Sequence, residues 1–218
     1  MSRRRGRFLV LEGLDGAGTT TQARLLAERL RAEGRTVHLT AEPSGGPVGA
    51  LLRQVLSRRL AGAAGGAFDA GALALLFAAD RLDHWQSEIA PHLAEGADVV
   101  SDRYALSSLA YQSLTTGDVA WVEAQNARAP APDATLFLAV RPAVALRRRV
   151  AESGGKELFE LPEFQRRVAR SYARCIRRLR LQGQRVEVLD GERSVVEVAA
   201  AVRAAVRRLR QPLARSAG

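Results

Sequence analysis

Short apolar runs alternate along this chain with longer stretches whose apolar positions recur at helical spacing. The runs RFLVLEG (7–13), TVHLTAE (36–42), ADVVSDR (97–103), ATLFLAV (134–140) and RVEVLD (185–190) are expected to be strands. TTQARLLAERLRAEG (20–34), VGALLRQVLSRRL (48–60), ALALLFAADRLDHWQSEIAPHL (72–93) and SVVEVAAAVRAAVRRLR (194–210) carry the helical period. Gly34 stops the first of these and Pro91 bends or breaks the third. Ser171–Leu181 also reads as helix, with Cys175 as a small packed hydrophobe. Pro43, Gly45, Gly46 and Pro47 mark a loop, and AGAAGGAFDAG (61–71) is a linker of small residues. Strands separated by helices predict an α/β fold, a parallel sheet of about five strands with helices on both faces, in one domain over 1–218. Ligands bind such sheets at the carboxyl ends of the strands, so function is expected at 13–21, 41–47, 102–112 and 190–193.

Composition adds limits rather than direction. The chain has 218 residues, 47% hydrophobic, and a formal net charge of +10. Lys156 is the only lysine among its 33 basic residues, which points to a compositional preference for arginine as much as to a function. The basic balance favours anionic partners without choosing among them. A single cysteine excludes an internal disulfide and suits a reducing compartment. The basic start MSRRRGRFLVLEGL has too short an apolar run for a secretory signal, and no apolar run is long enough to span a bilayer, so no membrane partner is expected and the location is read as cytoplasmic. His38, His84 and His92 show no metal-binding spacing.

The stretch GLDGAGTTT (Gly13–Thr21) follows the first strand and opens the first helix. It has the form G-x-x-x-x-G-K-[ST], with Gly13, Gly18 and Thr20 in place and Thr19 where the lysine belongs. Backbone N–H groups of Gly13, Leu14, Asp15, Gly16, Ala17, Gly18, Thr19, Thr20 and Thr21 can cradle phosphates, helped by the helix N-terminus, and the Thr20 hydroxyl can ligate Mg²⁺. Thr19 cannot place an ammonium on the transferring phosphate. The alternative is a purely structural turn. Asp15 reads either as an acceptor for a sugar hydroxyl or as a backbone cap.

A second constellation, DRYALSSLAYQS (102–113), follows the third strand. Asp102 can hold Mg²⁺ and Arg103 can fork onto a phosphate. With the loop Glu12–Thr21, the helix pair Phe77 and Arg81, the run Asp102, Arg103, Tyr104, Ser107, Ala110, Tyr111, Gln112, and the turn Thr40-Ala41-Glu42-Pro43-Ser44-Gly45-Gly46, the chain resembles thymidylate kinases, which phosphorylate dTMP. It departs from their pattern at Thr19 and at Ala41, which replaces an arginine.

The resemblance implies a P-loop three-layer fold, ATP and dTMP as substrates, Mg²⁺ as cofactor, the route to dTTP, and a homodimer packed through helices such as 72–90. It implies that Phe77 stacks on the pyrimidine and that Arg81 bonds its carbonyl edge or helps hold the phosphate. Arg103 grips the monophosphate, Asp15 takes the 3′-hydroxyl and Tyr111 crowds the 2′ position. Ser107, Ser108, Gln112 and Pro43 complete the acceptor site, with Ser108 and Gln112 facing the base. It further implies a flexible lid at about 151–162, where Lys156 supplies a catalytic cation alongside Arg103 and Asp102; Arg147, Arg148 and Arg149 are the other suppliers. Two alternatives stand beside this reading: an impaired nucleotide-binding relative lacking the loop lysine, and a kinase for another nucleoside monophosphate. The seven arginines of FQRRVARSYARCIRRLRLQ (164–182) could track nucleic-acid phosphates, but few aromatics accompany them and a solvated helix face is preferred.

Overall fold

The computed structural model describes residues 5–62, 65–152 and 162–209. The first strand, FLVLEG, is buried at every position, and a strand with no exposed face belongs at the centre of a sheet. The elements run β1 (Phe8–Gly13), α1 (Thr19–Ala32), β2 (Val37–Ala41), α2 (Pro47–Leu56), α3 (Ala70–His84), a π-helical segment (Trp85–Ile89), α4 (Ala90–Ala94), β3 (Asp98–Asp102), α5 (Ala105–Thr116), α6 (Val119–Asn126), β4 (Ala134–Ala139), α7 (Pro142–Glu152), α8 (Pro162–Leu181), β5 (Val186–Asp190) and α9 (Val195–Arg208). The five strands are parallel in the order β2-β3-β1-β4-β5. Chain order reverses on either side of β1, so the ends of β1 and β3 open a crevice, the usual place for a ligand in this architecture.

Helices α1 and α9 cover one face of the sheet, and α4, α5 and α8 the other. Leu9, Leu11, Val100, Leu136 and Leu138 are fully buried between these layers, each contributing about 1.5–3 kcal/mol of hydrophobic stabilisation. At the opposite end of the sheet, Asp98 accepts hydrogen bonds from Arg7 and Arg35 and from the Arg7 backbone, tying the starts of β1 and β3 together.

Several boundaries differ from the sequence reading for physical reasons. The helix expected over 48–60 ends at Leu56, and Arg58 adopts a left-handed backbone (φ 56°). The helix expected over 72–93 is three pieces, because the π-helical segment shifts the register before Pro91 takes the first turn of α4. The stretch after β3 divides into α5 and α6 at Gly117, whose φ of 77° closes α5, and Asp118 caps α6 by accepting from the Trp121 N–H. In α8, Val168, Tyr172, Cys175, Ile176 and Leu179 face the core, and the seven arginines point outward. Of the lid expected at 151–162, residues 151, 152 and 162 belong to the ends of α7 and α8. Residues 153–161, Lys156 among them, lie outside the described residues.

Candidate active site

The loop after β1 turns by means of two left-handed glycines, Gly16 (φ 84°) and Gly18 (φ 89°), and Gly18 is the N-cap of α1. A side chain on Gly16 would lie 2.2 Å from the carbonyl oxygen of Ala145, so the loop is pressed onto α7. The loop therefore has the left-handed glycines and the helix N-terminus that a phosphate cradle would use. Thr19 is buried at the first position of α1.

Thr20 and Asp102 meet at the mouth of the loop. The Thr20 hydroxyl donates to Asp102 Oδ2 at 2.5 Å, and Asp102 Oδ1 is buried without a hydrogen-bond partner among the described residues. A buried carboxylate oxygen left unpaired is costly, and a hard divalent cation is the partner that hydroxyl and carboxylate oxygens fit.

Arg103 follows Asp102 with φ at 74°, an uncommon conformation for a non-glycine residue. Glu12, fully buried in β1, holds this turn in place. Its carboxylate accepts from the Tyr104 N–H (2.9 Å), the Ser107 N–H (3.0 Å), the Ser107 hydroxyl (2.6 Å) and the Tyr172 hydroxyl (3.3 Å). It thereby ties the N-terminus of α5 to the central strand. Burial pushes the Glu12 carboxyl up to about 7, against the lowering pull of Arg103 and of the Ser107 and Tyr104 hydrogen bonds. The Arg103 guanidinium donates to Gly13 O (3.1 Å), Ser107 Oγ (3.0 Å), Tyr172 Oη (3.3 Å) and Asp15 Oδ1 (2.5 Å). Burial disfavours its charge, but the Asp15 carboxylate and its other neighbours outweigh this and raise its pKa well above the ordinary value.

A cavity of about 390 Å³ opens beside this turn. Asp15, Pro43, Phe77, Arg81, Arg103, Ser107, Ser108, Tyr111 and Gln112 all line it, so the residues expected around the acceptor come together from four separate parts of the chain. Tyr111 donates to Asp15 Oδ2 at 3.2 Å. Arg81, almost fully buried, donates to Glu42 Oε2 (2.5 Å) and Ser108 Oγ (3.0 Å) and also to Asn126, with its guanidinium over the Tyr104 ring.

Sequence reasoning missed three contributors. Glu42, in the turn Thr40–Gly46, carries no local signal of a role, and it is the charge partner of Arg81. Asn126 had no local signal. Tyr172 sits in the arginine-rich run 164–182; its spacing with Val168, Cys175, Ile176 and Leu179 is the helical core pattern that places it inward.

Comparison with known proteins identifies the family. The thymidylate kinase family model matches residues 11–202. A protein described as a probable thymidylate kinase from Pyrobaculum calidifontis is 40% identical over 208 residues, covering 95% of this chain and 100% of its own length. One of the same description from Pyrobaculum aerophilum is 37% identical over 202 residues, covering 93% and 97%. A thymidylate kinase from Ruegeria pomeroyi is 39% identical over 202 residues, covering 90% and 92%. The chain belongs to the thymidylate kinase family.

Proposed function

We propose that this chain transfers the γ-phosphoryl group of ATP to dTMP, giving ADP and dTDP on the route to dTTP. The observation that carries the reading is the single cavity in which Phe77, Arg81, Arg103, Tyr111 and Asp15 converge directly beside a phosphate-cradling loop.

In this reading Phe77 stacks on the pyrimidine. Arg81, held by Glu42 and Asn126, presents its remaining N–H groups toward the base edge together with Ser108 and Gln112. Arg103 grips the acceptor phosphate. Asp15 already accepts from Arg103 and Tyr111, but a carboxylate has about four lone-pair sites, which leaves room for a sugar 3′-hydroxyl. Tyr111, pinned on Asp15, narrows the 2′ side and selects deoxyribose by exclusion.

An oxygen of the dTMP phosphate attacks the γ-phosphorus, and the bond from that phosphorus to the β-bridging oxygen breaks, its electron pair leaving with ADP. The attacking oxygen is already anionic, so no general base is needed; alignment and charge neutralisation carry the reaction. Thr20 and Asp102 would hold Mg²⁺, which when bound draws negative charge from the β- and γ-phosphates. A homodimer and a cytoplasmic location belong to the same reading. The partly exposed Leu51, Leu75 and Leu82 on α2 and α3 support the dimer, which sedimentation velocity checks. Among the described residues no helix is long and apolar enough to cross a membrane.

The test is ADP formation with ATP, Mg²⁺ and each of dTMP, dUMP, UMP and dCMP. The expected result is a kcat/KM for dTMP roughly a hundredfold or more above that for UMP. Equal rates across the acceptors, or turnover of another acceptor with dTMP inert, would overturn the assignment.

A further inference from the structure

The loop lacks the lysine that normally meets the transferring phosphate, and Thr19, buried at the start of α1, cannot reach it. Some other cation has to occupy that place if the chain turns over. Arg103 is committed to the acceptor side, with hydrogen bonds to Gly13, Ser107, Tyr172 and Asp15. Among the described residues, the consecutive arginines of α7 are candidates on the loop's other flank, and their positions separate them. Arg147 is exposed beside Pro142, Pro162 and Arg166, away from the loop. Arg148 donates to the carbonyl oxygens of Gly191 and Glu192, which ties it to the segment after β5.

Arg149 stands on the face of α7 that touches the loop. The Ala145 carbonyl is the atom against which Gly16 is pressed, and Arg149 lies one helical turn further along the same face. Its Cβ would be 3.3 Å from a side-chain carbon placed on Gly16. Its guanidinium comes within 3.9 Å of Asp15 Oδ2, and its side chain is about a quarter exposed (27%). Asp15 therefore faces two guanidiniums, Arg103 at Oδ1 and Arg149 at Oδ2. The close seat of Gly16 on Ala145 brings this turn of α7 directly against the loop.

We propose that Arg149 is a catalytic residue of this chain, contacting the donor phosphates at the loop in place of the lysine absent at position 19. A planar guanidinium fits this place because it can bind two phosphate oxygens at once and remains charged at any working pH. The inference rests on the kinase reading above, and its test is arranged so that the two can fail separately.

The experiment compares wild type, Arg149→Ala, Arg149→Lys, Arg147→Ala and the double variant Thr19→Lys/Arg149→Ala. It measures kcat for ADP formation with dTMP, the Kd for ATP by titration with Mg²⁺ present, and a thermal melt of each. The expected result is a fall of roughly 10²–10³ in kcat for Arg149→Ala with a melt like the wild type's, and weakened ATP binding. Arg149→Lys should retain part of the activity, Arg147→Ala should stay within about threefold of wild type, and Thr19→Lys should restore at least about tenfold of what Arg149→Ala loses. If Arg149→Ala melts early, the comparison moves to Arg149→Lys beside wild type, where a fall in kcat of more than about threefold with a wild-type melt is expected and unchanged kinetics and ATP affinity would overturn the proposal. Kinetics and ATP affinity for Arg149→Ala within about threefold of wild type, equal losses in Arg147→Ala, or a folded double variant no better than Arg149→Ala would each overturn the proposal. An acceptor other than dTMP would sink the substrate assignment and leave the ATP titration to decide on Arg149.

Discussion

The acceptor cavity and the phosphate loop lie on either side of Asp15 and are built differently. The cavity is made of side chains: Phe77, Arg81, Arg103, Ser108, Tyr111 and Gln112 project from α3, the turn after β3 and α5, and Glu42, Asn126 and Glu12 hold them. The loop is made of backbone, with two left-handed glycines and a helix N-terminus, and its usual side-chain charge is missing. A backbone cradle can lose a lysine and still bind phosphate, because its N–H groups remain aimed inward. A pocket whose charges are buried against one another has no such freedom, since each charge depends on a partner.

The largest expected effect follows from that dependence. Arg81→Met leaves Glu42 buried without its guanidinium partner, and should cost roughly 3–5 kcal/mol of stability, read as urea midpoint multiplied by slope. Thr19→Ala on the loop side should cost far less in the same assay. Equal losses at the two positions would erase the contrast between pocket and loop.

A smaller effect is expected from Glu12. Its folded pKa of about 7 lies above the unfolded 4.5, so the folded state holds the proton more tightly. That contribution is fully present below about 4.5 and is lost as pH rises through about 7. Glu12→Gln cannot ionise, so its stability relative to wild type should improve between pH 5 and pH 8 by on the order of 3 kcal/mol. Parallel stability curves for the two proteins over that range would show that Glu12 is not held in the way described.

Much of this contrast was legible in the sequence. Consecutive apolar residues announced the strands, and the loop glycines and the Asp102–Gln112 run marked the crevice, because their spacing is local. What was hidden depends on distant segments meeting. Nothing near Arg81 indicates that Glu42 and Asn126 will neutralise and orient it. Nothing near Arg149 indicates that α7 will press on Gly16, so the sequence favours Lys156 for the missing charge and leaves the three arginines of α7 as undistinguished other suppliers. The π-helical segment at Trp85–Ile89 likewise has no periodic signature that separates it from a continuous helix.

The central claim is that the loop works without its lysine because its charge comes from elsewhere in the fold. The direct measurement is dTMP-dependent ADP formation by wild type beside Thr19→Lys, with ATP and Mg²⁺ saturating. The account predicts a wild type that turns over and a Thr19→Lys variant that gains less than about tenfold in kcat. A silent wild type that Thr19→Lys awakens would contradict it, and would make this chain a nucleotide binder with an intact cradle and no means of neutralising the phosphate it holds.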